Sequence, residues 1–422
     1  MVSFRKMGSY LATGFAAQAA AAVAGLLLVR WMPVSDYAIY TVGVTVVGAI
    51  SLLTRGGVQL GLAAALAKAW PDRTHASQAV ASALRTRILI SALTMPPILG
   101  ISWFLLARAE AGPATALAIL GILALLWLFD MRASVIDQVL YFDAKAVRVQ
   151  ALDSGIAAGR VVLVVALRVF GAVSATMALL TNLFVVAARV PFVQRWVNRT
   201  LGGEHAPPAP DTTRQIRTIA LRQMPVDLFT ALQAQVAIFF LTRHGGGIEL
   251  ATYGALARIA QILTPFAALN LAFFVPAFAK VGDNVVATIV KYVGLGALPG
   301  VALACWAWLA PATLLFFIGP AYSGQAWPLL ICASTIAIMN AVHVAWSLIS
   351  HRGWNRWGWV RIAFGVAWIG VAPLFIAVET AAGGYLFYCG FSIGTVVALI
   401  LELLSAQAAG EIRLGRALAV EA

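Results

Sequence analysis

Twelve times along its length the chain runs for about twenty residues with scarcely a charge before a short polar break interrupts it. A bilayer hydrocarbon core about 30 Å thick is crossed by roughly 20 apolar residues in a helix, so this repetition predicts a polytopic membrane protein. The apolar runs lie near 9–30, 38–62, 85–107, 114–140, 147–170, 173–194, 224–243, 250–275, 286–309, 326–349, 357–378 and 383–406. Runs such as Ala111 to Leu128 are continuously apolar and not alternating, which excludes a β-barrel. Composition agrees: 62% of the 422 residues are hydrophobic and 11% are charged, with mean hydropathy +0.90, far from the balance of a soluble domain.

Charge sets the topology. Arg5 and Lys6 precede the first run in the manner of a signal peptide, but that run exceeds a signal peptide's apolar region and leads into further spans. With the N-terminus cytoplasmic, 21 Lys and Arg fall on inner loops, termini and inner helix ends. Only Arg30, Arg108, Arg168 and Arg243 fall on outer ones. This positive-inside split predicts that both termini are cytoplasmic. The net charge of +13 is thus distributed by topology, and no basic face points to nucleic acid. Cys305, Cys332 and Cys389 lie inside predicted spans without metal-ligand spacing.

The hydrophilic stretch Gln194 to Arg222, with Pro207, Pro208 and Pro210, divides the chain near its middle. It predicts a six-helix bundle over 1–196, a cytoplasmic linker over 197–222 and a second six-helix bundle over 223–422 with a short tail. A faint echo joins the halves: Asp36 to Tyr40 enters the second span, Glu249 to Tyr253 the eighth.

Charges inside spans cost about 2.5–3.5 kcal/mol each on insertion scales, so they face a cavity or a partner. They are Arg55, Asp130, Arg132, Asp137, Asp153, Arg160, Asp227, Arg258 and His343. Asp130, Ser134, Asp137 and Tyr141 share one helical face, as do Gln150, Asp153 and Arg160. Counting along the helices puts Arg160 and Arg258 in the middle to outer-middle of the bilayer, in opposite halves, without an acid one turn away. Two such guanidiniums suit a phosphate-bearing ligand. Arg55 and Arg132 are further candidates for a cationic cavity. Asp130, Asp153, Asp227 and His343 are candidates for ion coupling or an inner gate. Near helix ends, Arg55, Arg132 and Asp137 also fit ion pairs or snorkelling, and a single His343 fits a hydrogen-bonded core position.

Other motifs carry no chemistry. Gly390-Phe391-Ser392-Ile393-Gly394 matches a nucleophile elbow but lies in an apolar span, where its glycines suit close helix packing, as do Gly155 and Gly159. Asn198-Arg199-Thr200 falls on the cytoplasmic side and is no glycosylation site there. Neither a P-loop nor an HExxH motif occurs.

The stretch Val29 to Tyr40, followed by a helix ending Leu53-Thr54-Arg55-Gly56-Gly57, resembles the first two helices of polysaccharide flippases. Their superfamily also holds the multidrug and toxin extrusion antiporters and the lipid II flippase. Ala251 to Ile259, Pro276 to Lys280, and the turn Phe316-Phe317-Ile318-Gly319-Pro320-Ala321-Tyr322 are similar to further parts of that family. The resemblance implies two six-helix bundles in a V that alternates access, and a polyprenyl-pyrophosphate-linked oligosaccharide as cargo. It further implies Arg55 and Arg258 on cavity-lining helices, a bacterial inner membrane, and partners among membrane lipids and other polysaccharide-biosynthesis membrane proteins. No cofactor, metal or catalytic residue is expected. A cation-coupled multidrug antiporter is the alternative; a membrane glycan polymerase or ligase fits less well, because every outer loop is short.

Overall fold

The computed structural model describes residues 4–143, 145–203, 206–263, 266, 270, 274, 278, 285–351 and 356–410. The side chains at 4–11, 52–56, 146, 227, 232, 234 and 351 lie outside the described part. The described residues form helices joined by short turns, with no strand among them. Helices α1 (Phe4–Trp31), α2 (Val34–Ala69), α3 (Arg73–Arg108), α4 (Pro113–Phe142), α5 (Ala146–Val169), α6 (Ala175–Thr200) and α7 (Pro210–Phe240) come first. Then follow α8 (Gly246–Ala260), α9 (Val285–Leu309), α10 (Pro311–Ile318), α11 (Ala326–His351), α12 (Gly358–Val371) and α13 (Ala381–Ala408).

Among the described residues each apolar run falls on a helix, although α12 ends at Val371, before the 357–378 run does, and much of the 250–275 run past Leu263, like Pro276 and Lys280, lies outside the described residues. Nine helical stretches among the described residues are long and apolar enough to cross a membrane. Three features account for the difference from twelve: α5 carries Asp153 and Arg160 within its length, α12 is short, and α7 runs through a wide π-helical turn at Leu241–Gly245 into α8. The surfaces are apolar where a soluble protein's would be polar. Val169, Phe170, Leu374 and Phe375 are each about three-quarters exposed or more, an arrangement that lipid satisfies and water does not.

The chain divides into two compact units, Met1–Thr242 and Arg243–Ala422. In the first, α2 is the central helix, lying along α7, α3 and α4, while α1 packs on α5 and α4 on α6. In the second, α11 is flanked by α9 and α13, and α12 lies on α13.

The linker expected over 197–222 is mostly helix, since α6 runs to Thr200 and α7 begins at Pro210. The physical reason is amphipathic spacing that the high polarity of the stretch conceals. Ile216 and Ala220, four residues apart, are buried, while Arg214, Arg217 and Thr218 face outward. Opposite them stand Gly57 and Gly61 of α2. A Cβ at Gly57 would lie 2.7 Å from the Ala220 Cα, and one at Gly61 would lie 3.0 Å from the Ile216 Cα. Backbones approach this closely only over small residues. Residues 223–242, expected in the second bundle, therefore belong by packing to the first unit.

Two turns need glycine. Gly246, with φ +77°, opens α8 after the π-helical turn, and Gly319, with φ +106°, sits between α10 and Pro320. A side chain would be strained at either. On α13, Gly390 and Gly394 lie against Trp368 and Phe364 of α12, so the elbow-like motif is a packing surface. Gly155 and Gly159 have open space where a Cβ would sit, which corrects the packing role expected for them.

Candidate functional site

Arg85 and Arg87 stand two residues apart on α3, about 200° around the helix, so one must point away from whatever the other faces. Arg85 is exposed. Arg87 is fully buried, and its Nη2 donates to Asp130 Oδ2 on α4 at 3.2 Å while Nη1 contacts Ser134 Oγ. Ser51 Oγ of α2 also donates to Asp130 Oδ2, at 3.4 Å, and Gln59 Nε2 donates to the Ser134 carbonyl at 3.4 Å. This cluster ties α2, α3 and α4 together inside the first unit. A cavity of about 200 Å³ opens on it, walled by Asp130, Ser51, Trp127 and Asn182. The Trp127 Nε1 is buried there without a hydrogen-bond partner.

One turn-pair further along α4, Asp137 receives Arg189 of α6, whose Nη1 donates to both carboxylate oxygens at 2.9 and 3.1 Å. The same guanidinium donates through Nε to Asp153 Oδ1 of α5 at 2.7 Å. Arg189 and Asp137 are only 15% and 13% exposed at their side chains, so the fork-shaped guanidinium replaces the water that both carboxylates lose. The polar stripe on α4 thus faces arginines along Asp130 to Asp137, whereas Tyr141 at its end is exposed.

Arg160 differs. Its Nη2 donates to Tyr40 Oη at 3.0 Å, and its Nε is buried with no hydrogen-bond partner. Tyr40, wholly buried on α2 beside Tyr37, belongs to the Asp36–Tyr40 motif. Arg132 is exposed and donates to Gln194 Oε1 at 3.0 Å.

In the second unit, Arg258 is 8% exposed and its Nη1 donates to Gln261 Oε1 at 3.1 Å. His343 is exposed on α11, so its position is not the core one that a single histidine suggests. Arg361, in the first turn of α12, donates to Thr395 Oγ1 at 3.2 Å and lies 4.6 Å from the Trp346 ring centroid, within cation–π range. Arg55 and Asp227 lie in α2 and α7, but their side chains are outside the described residues.

Sequence reasoning thus missed Arg87, Arg189 and Arg361, all assigned to inner loops or helix ends. The signal for the first was the Arg85/Arg87 spacing. That for the second was Arg189's place inside the hydrophobic run Phe184 to Phe192.

No protein-family model and no curated protein matches the chain. Its fold, however, matches solved structures over nearly the whole length. An inward-facing multidrug resistance MATE family transporter of the MOP superfamily superposes with TM-score 0.66 at 14% identity, covering 93% of this chain and 94% of that one. A MATE structure in complex with MaL6 gives TM-score 0.67 at 14% identity, covering 96% and 97%. The lipid II flippase MurJ, in an inward closed conformation, gives 0.65 at 8% identity, covering 94% and 87%. The chain shares the fold of these structures over nearly its whole length. On this fold the paired acids of the first unit, the Arg160–Tyr40 contact and the buried Arg258 are among the polar groups held within otherwise apolar helices.

Proposed function

We propose that the protein is a flippase that carries a polyprenyl-pyrophosphate-linked oligosaccharide across a bacterial inner membrane for surface polysaccharide synthesis, with both termini cytoplasmic. The observation that carries this reading is Arg160. Asp137 and Asp153, on the α4 and α5 polar faces, are taken up by Arg189, whereas among the described residues Arg160 holds a phenol and keeps a buried N–H without a partner. A guanidinium so placed, in an environment drier than water, favours an anionic group over a cationic one. Arg258, buried in the second unit with an amide at hand, offers a second cation to the same class of cargo. The polyprenyl tail would remain in lipid while the pyrophosphate and sugars cross, and two halves alternating between inward-open and outward-open states would provide the path.

The test is Arg258→Ala in a strain whose surface glycan depends on this gene. Loss of glycan display at normal protein level supports the role; unchanged display removes it.

One observation favours a second reading, a cation-coupled multidrug antiporter. Asp130, with Asn182 and Ser51, supplies the polar part of a partly open, mostly apolar cavity, a place where a carboxylate could exchange a proton or cation between its contacts with Arg87. Susceptibility of a deletion strain to cationic drugs separates the two readings, because only the antiporter predicts sensitisation. The same Asp130 could couple ion entry to flipping, with Asp153, Asp227 and His343 as further candidates.

A further inference from the structure

The outer groove between α3 and α7 changes character along its length. At one end lies a cavity of about 620 Å³ lined by Arg85, Arg214 and Arg217, with Ile88, Leu89 and Ala92 one to two turns further along α3. No carboxylate lines it. All three arginines are exposed, and none of their guanidiniums has a hydrogen bond or ion pair among the described residues. Asp211 stands one turn before Arg214 but makes no ion pair with it. Further along the same two helices a second, apolar cavity of about 270 Å³ is walled by Leu93, Pro97, Ile101, Met224 and Leu228.

Depth can be read from α3 itself. Arg85 and Arg108 are 23 residues apart, or about 35 Å of helix, a little more than the hydrocarbon thickness. Arg108 is the basic residue of the helix's last turn, so Arg85 lies at headgroup level on the opposite face of the bilayer. Leu93, 72% exposed, then falls within the acyl region. The first turns of α7 begin at Pro210 beside the same cavity, and the positive end of that helix adds to the field of the three guanidiniums.

We propose that this groove holds a phosphate-headed lipid of the adjoining leaflet, the inner one in the orientation given above. The phosphate sits among Arg85, Arg214 and Arg217, and one acyl or prenyl chain lies along Leu93, Pro97 and Leu228. Three cations without acids call for an anion, and an apolar cavity beginning at Leu93, one residue past the Ala92 wall of the basic one on α3, calls for a lipid over a free ion. The site is independent of which cargo is moved.

Native mass spectrometry of the purified, delipidated full chain, titrated with phosphatidylglycerol, phosphatidylcholine or inorganic phosphate, tests it. The wild type should retain phosphatidylglycerol at least about tenfold better than phosphatidylcholine, and inorganic phosphate at equal concentration should not displace it. Replacing the three arginines by Ala should abolish that preference. Replacing them by Lys should keep part of it, which distinguishes lost charge from lost structure. Equal retention of both lipids, undiminished preference in the Ala variant, displacement by inorganic phosphate, or no retention by the wild type would each overturn the proposal.

Discussion

The two units solve the same problem, polar groups inside an apolar solvent, in opposite ways. The first joins side chain to side chain: Arg87 meets Asp130, and Arg189 meets Asp137 and Asp153. The second turns two glutamates onto backbone. Glu249 accepts from the Ala381 N–H at the start of α13 at 2.7 Å, and the buried Glu402 accepts from the Trp357 N–H before α12 at 2.6 Å. Its arginine Arg361 leans on an aromatic ring. An ion pair between helices can be exchanged for another pair or broken by a proton. A carboxylate on a helix N-terminus serves the helix it caps. The contrast is thus between charge shared across helices in the first unit and carboxylates that each serve one helix start in the second.

The sharpest break of this comparison is Arg189→Ala. Two carboxylates would be left without their cation, and thermal unfolding in detergent should show a loss of about 3–5 kcal/mol. Adding Asp137→Asn and Asp153→Asn to the same variant should restore most of it, because the penalty comes from unpaired charge. Failure of that rescue would mean the arginine acts through packing. On the other side, Gly390→Leu should cost about 1–3 kcal/mol by forcing Trp368 from its place on α13, whereas Gly155→Ala should be nearly neutral. Glu402→Gln keeps an amide oxygen for the Trp357 N–H and should cost only about 1 kcal/mol, which separates capping from a need for charge.

The smallest effect is a pH dependence at the α4–α5 corner. Burial opposes ionisation of Asp143, but the Lys145 ammonium and the Thr200 hydroxyl, at 2.9 Å, outweigh it and hold the carboxyl below its ordinary range. A depressed carboxylate contributes stability above its unfolded pKa of about 3.9, and that contribution disappears as pH falls through the lower folded value. Stability measured from pH 6 to pH 3 should therefore fall by up to about 1 kcal/mol through this group, and Asp143→Asn should flatten that part of the curve.

Helix positions were legible in the sequence because a bilayer leaves few alternatives: twenty apolar residues must span, and Arg and Lys mark the inner ends. What was not legible is direction around each helix. Arg87 and Arg189 read as inner-surface charges because charge counting ignores azimuth, while burial in the structure depends on it. The start of α7 was hidden for the related reason that its buried face, Ile216 and Ala220, is narrow and the rest is polar. Arg160 and Arg258 were visible as charges deep in spans. Their partners, Tyr40 and Gln261, were not, since neither is an acid and only one lies close in sequence.

The most direct measurement is translocation of a fluorescently labelled polyprenyl-pyrophosphate oligosaccharide in proteoliposomes holding the full chain or its Arg160→Ala and Arg160→Lys variants. Flipping by the wild type, a drop of at least about tenfold in the Ala variant and partial recovery in the Lys variant are expected. Wild-type rates in the Ala variant, or a wild type that extrudes a cationic dye and leaves the labelled lipid in place, would contradict the flippase reading.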